Sequence, residues 1–149
     1  MNTGSGRAGA VGTGRTGAGR RHLDAALGVS FRAFRSHHAA LYRRYATLRL
    51  GDPEAGRSAV AAVFASLGEQ WAALLAGPEP TRAAWREFSA RLRTWPDRPD
   101  SPLDGLPADR VDAFLLRHRL GLPADTAAEV MGVDPARFAA LCRAPTPTR

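Results

Sequence analysis

Apolar residues recur at helical spacing through most of this chain, and no stretch alternates as a half-buried strand would. Phe31, Phe34, Leu41, Tyr42, Tyr45 and Leu48 are separated by three, four and seven, so they share one face of a helix over 31–50. Arg32, Arg35, Arg43 and Arg44 lie mostly off that face. Ser30 is placed to cap this helix and Gly51 to end it. Asp52-Pro53 then restarts the chain as cap and first turn. A second helix over 53–76 turns Val60, Val63, Phe64, Leu67, Trp71, Leu74 and Leu75 inward, and Gly77-Pro78 closes it. Thr81 can cap a third helix over 82–94, with Trp85, Phe88, Leu92 and Trp95 inward. Three helices with such bulky stripes can bury one another as a small bundle.

A second apolar region spans 106–144 and predicts a short helix leading into a helix-turn-helix. Residues 124–131 are good helix formers, and Gly132 supplies a left-handed stop. Asp134 can cap the next helix, with Pro135 pre-set for its first turn. Small Ala128 stands four residues before Gly132, where crossing helices approach closely, and Phe138 stands six after it, where the core needs a plug. Ala127, Met131, Val133 and Leu141 take the remaining inward slots. Cys142 is expected to pack rather than react.

Between the two regions, residues 96–105 are rich in proline and aspartate, which leaves no helix and no apolar face. The expected architecture is therefore all-α. Two small helical modules, 30–95 and 106–144, are joined by this linker. Residues 1–29 read as a disordered Gly/Arg-rich tail with a short helical lead-in at 22–28, and 145–149 as a frayed end.

The net charge of +7 permits a polyanionic partner. There is no Lys and no Ile, so every basic side chain is Arg, a pattern that suggests a GC-rich coding sequence and weakens the argument from charge. The charge is uneven: residues 30–95 carry ten Arg against five acids, whereas 96–149 carry seven Arg against eight acids. One cysteine excludes an internal disulfide and suggests a reducing cytoplasm. No apolar run approaches membrane length, so a soluble protein without a membrane partner is expected. Little points to an enzyme, a metal or another cofactor. His37 and His38 are adjacent on a helix and make a poor metal pair, His118 lies between two arginines on a solvated edge, and no Gly-rich phosphate loop follows a strand. Trp71, Trp85 and Trp95 could stack bases, but their spacing reads as core.

Leu106-Pro107, the helix through Phe114 to Arg117, Gly121-Leu122 and Ala128-Glu129-Val130-Met131-Gly132-Val133 follow one another without a gap. With Leu50-Gly51-Asp52, Val63-Phe64, Trp71 and Trp85 ahead of them, this order resembles the bacterial RNA polymerase sigma factors, the extracytoplasmic-function type above all. The resemblance covers about residues 31–144 and implies that 30–95 corresponds to the family's second region and 106–144 to its fourth. It implies binding to core RNA polymerase through Arg57, Ser58, Ala61, Ala62 and Ala65, and to promoter DNA through Ala136, Arg137, Ala139, Ala140 and Arg143. An anti-sigma factor is a further implied partner.

The sequence departs from the family on the outward faces. Ser58, Ala61 and Ala62 stand where the family carries an acid and a Gln-Glu pair, and Thr126 replaces a Glu. Ala139, Ala140 and Leu141 occupy recognition-helix positions that are usually polar. The leading expectation is a sigma-like initiation factor, with Arg137 on a base edge and Arg143 on phosphate. The alternative is a degenerate sigma-like interaction module that competes for an anti-sigma factor or the polymerase without reading DNA.

Overall fold

A computed structural model of the protein describes residues 13–143. The expected ends of the chain, 1–12 and 144–149, lie outside the described residues. All regular structure among the described residues is helical: α1 (Thr13–Leu50), α2 (Pro53–Glu69), α3 (Trp71–Ala76), α4 (Pro80–Arg93), α5 (Ala108–Phe114), α6 (Ala124–Met131) and α7 (Pro135–Cys142). A π-helical turn, Leu115–Arg119, continues α5.

Three helix boundaries differ from the expectation; one is α4, which starts at Pro80 after Glu79, so Thr81 lies within its first turn and does not cap it. Helix α1 starts at Thr13 rather than at residue 31, so 13–29, expected as a tail, is helix continuous with the packed segment. Once a helix is nucleated by packing, each added residue costs little, which offsets the poor propensity of the glycines here. Ser30 is therefore no cap; its hydroxyl accepts a hydrogen bond from Trp71 Nε1 at 3.1 Å. The expected helix over 53–76 breaks at Gln70, which lies off helical geometry at φ −100° and ψ 3°. The Gln70 amide nitrogen donates to Ser66 Oγ at 2.9 Å and to Glu87 Oε1 at 3.0 Å, holding the kink against α4. The break brings Trp71 against Phe34, with ring centroids 4.9 Å apart.

Helices α1 and α2 form a tight antiparallel hairpin. Asp52 caps α2 by accepting from the Ala55 amide at 3.1 Å, with Pro53 in the first turn. The helices close on Gly56, where an added Cβ would stand 2.7 Å from Thr47 Oγ1 and 3.0 Å from its backbone nitrogen. Helix α4 lays Trp85, Phe88 and Leu92 across this pair. Phe88 stacks on Tyr42 at 4.3 Å, and Trp85 meets Tyr45 at 5.0 Å.

The stretch 96–105 contains no helix, as its prolines require, and is stapled by Arg98 to both oxygens of Asp104 at 3.1 Å. It does not separate two cores. Buried residues from Phe34 to Phe138 form one continuous apolar cluster. Asp112 on α5 is 2% exposed and sits inside that cluster. It accepts from Trp85 Nε1 at 3.0 Å, from Ser89 Oγ at 2.7 Å and from the Tyr45 hydroxyl. One carboxylate thus joins α5 to α1 and α4.

Beyond the π turn, Gly121 and Gly132 both adopt left-handed backbone at φ 69° and 70°. Gly132 is constrained twice, because a Cβ there would lie 2.2 Å from the Arg82 backbone nitrogen. The α6–α7 turn is therefore docked on the first turn of α4. Asp134 caps α7 by accepting from the Arg137 amide at 2.8 Å. Phe138, 1% exposed, is the plug that its spacing predicts, with Ala127, Ala128 and Met131 also buried. Cys142 is exposed rather than packed, because half-buried Leu141 takes the inward position.

Two substitutions test this packing. Phe138→Ala should cost ~3–5 kcal/mol in chemical denaturation, the usual cost of emptying a buried aromatic site. Asp112→Ala should cost at least ~3 kcal/mol, because it leaves buried donors on two helices unsatisfied. Burial raises the Asp112 carboxyl pKa above the ordinary value despite its three donors. Its stabilising contribution is thus full below the ordinary carboxylate pKa and declines as pH rises through the raised one. Asp112→Asn, which cannot ionise, should flatten that decline in a stability–pH profile.

Candidate functional site

Helix α7 turns one face out of the core. Its first turn follows Gly132 and the Asp134 cap, so its orientation is set by α6, by α4 and by the buried Phe138. Of the residues expected on DNA, Ala136, Arg137, Ala140 and Arg143 are exposed, whereas Ala139 is half-buried. The outward face therefore offers two guanidiniums and methyl groups. Arg143 stands at the C-terminal cap of α7.

Arg137 is not an independent cation. Its Nη2 lies 3.9 Å from Asp109 Oδ2, and the same Asp109 oxygen accepts from Arg82 Nη2 at 3.3 Å. Arg82 is itself buried at the start of α4, with Glu79 at 3.9 Å. One carboxylate on α5 thereby serves guanidiniums from α4 and α7. The sequence pattern marks Asp109 only as an acid in the first turn of a helix, where it favours the helix dipole. Nothing in its spacing reveals the second role.

The residues expected on polymerase lie on the outer side of α2. Arg57, Ser58, Ala61 and Ala65 are exposed and Ala62 is half-buried. Arg57 is paired with Glu54 one turn away. What remains is a small-residue surface, open to a partner but poor in directional groups.

A second pair of residues bears on the position of α6. His37 Nε2 meets Glu129 Oε1 at 2.7 Å, joining α1 to the exposed edge of α6. His38, its neighbour, turns inward and is 6% exposed, with its ring 4.5 Å from Phe34. The two imidazoles thus leave α1 in different directions, as adjacent helical positions do. His118 is exposed and lies 5.0 Å from the exposed Phe114 ring. Trp71 and Trp85 belong to the core, and Trp95 is half-buried. No helix among the described residues is long and apolar enough to cross a membrane.

No family model, no curated protein and no solved structure matches this chain.

Buried His38 makes the packing of this face of α1 sensitive to acid. Burial, helped by the neighbouring His37 and opposed by Glu129, lowers the His38 pKa from 6.5 to about 4. A lowered folded-state pKa gives stability that is complete above pH 6.5 and lost as pH falls toward 4. The loss should reach at most ~3 kcal/mol. His38→Phe, which keeps an aromatic ring beside Phe34, should flatten the urea midpoint between pH 7 and pH 4. An unchanged slope in that variant would assign the acid sensitivity to other groups.

Proposed function

We propose that this chain is a sigma-factor-like regulator of transcription initiation. In this reading α6 and α7 form a helix-turn-helix that meets promoter DNA, and the outer side of α2 meets core RNA polymerase, in the cytoplasm. The observation that carries the reading is the α6–α7 turn itself. Left-handed Gly132, the Asp134 cap and buried Phe138 fall on the positions where the sequence resembles the family's fourth region, and Ala136, Arg137 and Ala140 are left facing out. A helix held this way can enter a major groove with its N-terminal residues toward base edges. Arg137 is the side chain able to pair bidentately with guanine.

A second reading, an interaction module that competes for polymerase or an anti-sigma factor without reading DNA, is favoured by a specific contact. Arg137 stands 3.9 Å from Asp109, so meeting a base would mean giving up part of that ion pair. The shared core adds to this, because separating α6 and α7 from α2 would break the packing of α6 on α4.

The experiment uses the full chain with core polymerase and a promoter-length duplex at physiological salt. Wild type is expected to bind core polymerase, and a paired Ala61→Arg, Ala65→Arg variant to lose at least tenfold without a change in Tm. Arg137→Ala should weaken the ternary DNA complex by ~1–3 kcal/mol, the value of one bidentate base contact. Unchanged DNA affinity in Arg137→Ala with polymerase binding intact would select the second reading. Absence of polymerase binding by wild type would refute the sigma-like reading.

A further inference from the structure

A cleft of about 420 Å³ opens where the 96–105 segment crosses between the end of α1 and the π turn. Its volume falls in the range of small-molecule sites. Leu48, Leu103, Leu115 and Phe114 supply apolar walls, and Arg49, Arg98 and Arg119 face the same space. Phe114 is 46% exposed and borders the cleft.

The three guanidiniums are not equally satisfied. Arg98 is saturated, holding both Asp104 oxygens at 3.1 Å and donating to the Arg93 carbonyl at 3.3 Å. Arg49 has a side chain only 6% exposed, yet its nearest carboxylate oxygen, on Asp104, stands 4.0 Å away. That Asp104 is already engaged by Arg98 and by the Ser101 amide. Arg49 also lies over the Tyr45 ring at 6.0 Å, and its charge is felt by the Tyr45 hydroxyl and the Asp112 carboxylate behind it. Arg119 has no carboxylate partner among the described residues. Against these charges stand Asp100 on the lining and Asp104 behind it, so the cleft keeps a positive excess. Arg119 is the guanidinium of the three that an incoming anion would complete, with Arg49 beside it at the inner wall.

We propose that this cleft binds a small organic anion, a carboxylate on a flat or short aliphatic apolar body, with the carboxylate between Arg49 and Arg119 and the body against Phe114 and Leu103. Arginine suits this because its planar fork accepts a carboxylate bidentately. The site lies on the side of α1 that carries Leu48, apart from the α7 residues considered for DNA and the α2 residues considered for polymerase. It does not depend on the transcription reading. A ligand here would bridge α1, the crossing segment and the π turn, and so would stabilise the fold by mass action.

The test is calorimetric titration of the full chain with naphthalene-2-carboxylate. Naphthalene-2-methanol serves as the uncharged body, acetate as the bare charge, and acetyl-Glu-Phe-Glu amide as a peptide-borne acid. The expected result is saturable one-to-one binding of the naphthoate, at least tenfold tighter than the alcohol and far tighter than acetate. Arg119→Gln should weaken the naphthoate at least fivefold with Tm unchanged. Arg86→Gln, which removes the same charge from α4, should leave it alone. Arg49→Met should abolish the preference for the acid over the alcohol. If that variant does not fold, Leu103→Trp, which fills the cleft, should block the naphthoate instead. Equal affinity for acid and alcohol would overturn the proposal. So would equal losses in Arg119→Gln and Arg86→Gln, no saturable binding at millimolar naphthoate, or binding confined to the peptide.

Discussion

The fold depends on a buried carboxylate. Asp112, 2% exposed, draws donors from Tyr45 on α1 and from Trp85 and Ser89 on α4. A carboxyl group can accept several hydrogen bonds at once, and an apolar replacement would leave these three donors without a partner. Desolvating it is expensive, and the hydrogen bonds offset part of that cost only in one register of α5 against the bundle. Ser89 also accepts from Arg93 at 2.9 Å, which extends the network to the surface of α4. The polar network therefore fixes where the second half of the chain sits, while apolar burial supplies most of the stabilisation.

With α5 fixed, the rest follows by close approach. Gly132 meets the Arg82 backbone, Asp109 meets the Arg82 guanidinium, and His37 meets Glu129. Each contact joins the second apolar region to the first. The helix with the outward-facing Arg137 is consequently carried by elements that pack on α1 and α4. A partner would have to approach these elements as they are packed, which narrows the surfaces able to act together to α2, α7 and the cleft beside Leu48.

Much of the helical content was legible because it rests on local chemistry. Gly51 and Asp52-Pro53, Gly132 and Asp134-Pro135 each stop or start a helix through their own backbone preferences, and each does so in the structure. Phe138 was legible as core because its spacing from Gly132 leaves it no other place. Three features were not. The extension of α1 to Thr13 runs against the propensity of its glycines and comes from continuation of a packed helix. The break at Gln70 depends on Glu87, seventeen residues away. Asp112, Asp109 and His37 acquire their roles only through partners distant in sequence, and an acid on a short helix otherwise reads as a cap or a solvated face. The linker composition correctly marked a helix-free crossing but carried no information on whether the flanking helices share a core. The candidate surfaces were legible as positions; that Asp109 restrains Arg137 was not.

The central claim is that residues on both sides of the 96–105 crossing belong to one cooperative unit built around Asp112. Native-state hydrogen exchange on the full chain, followed by NMR in low denaturant, tests it most directly. The amides of α4, of the packed half of α1, and of α5 and α6 should converge on one opening free energy with the same denaturant dependence. An opening of α5 to α7 at lower free energy, while α1, α2 and α4 stay protected, would contradict the claim and divide the chain into two independent modules.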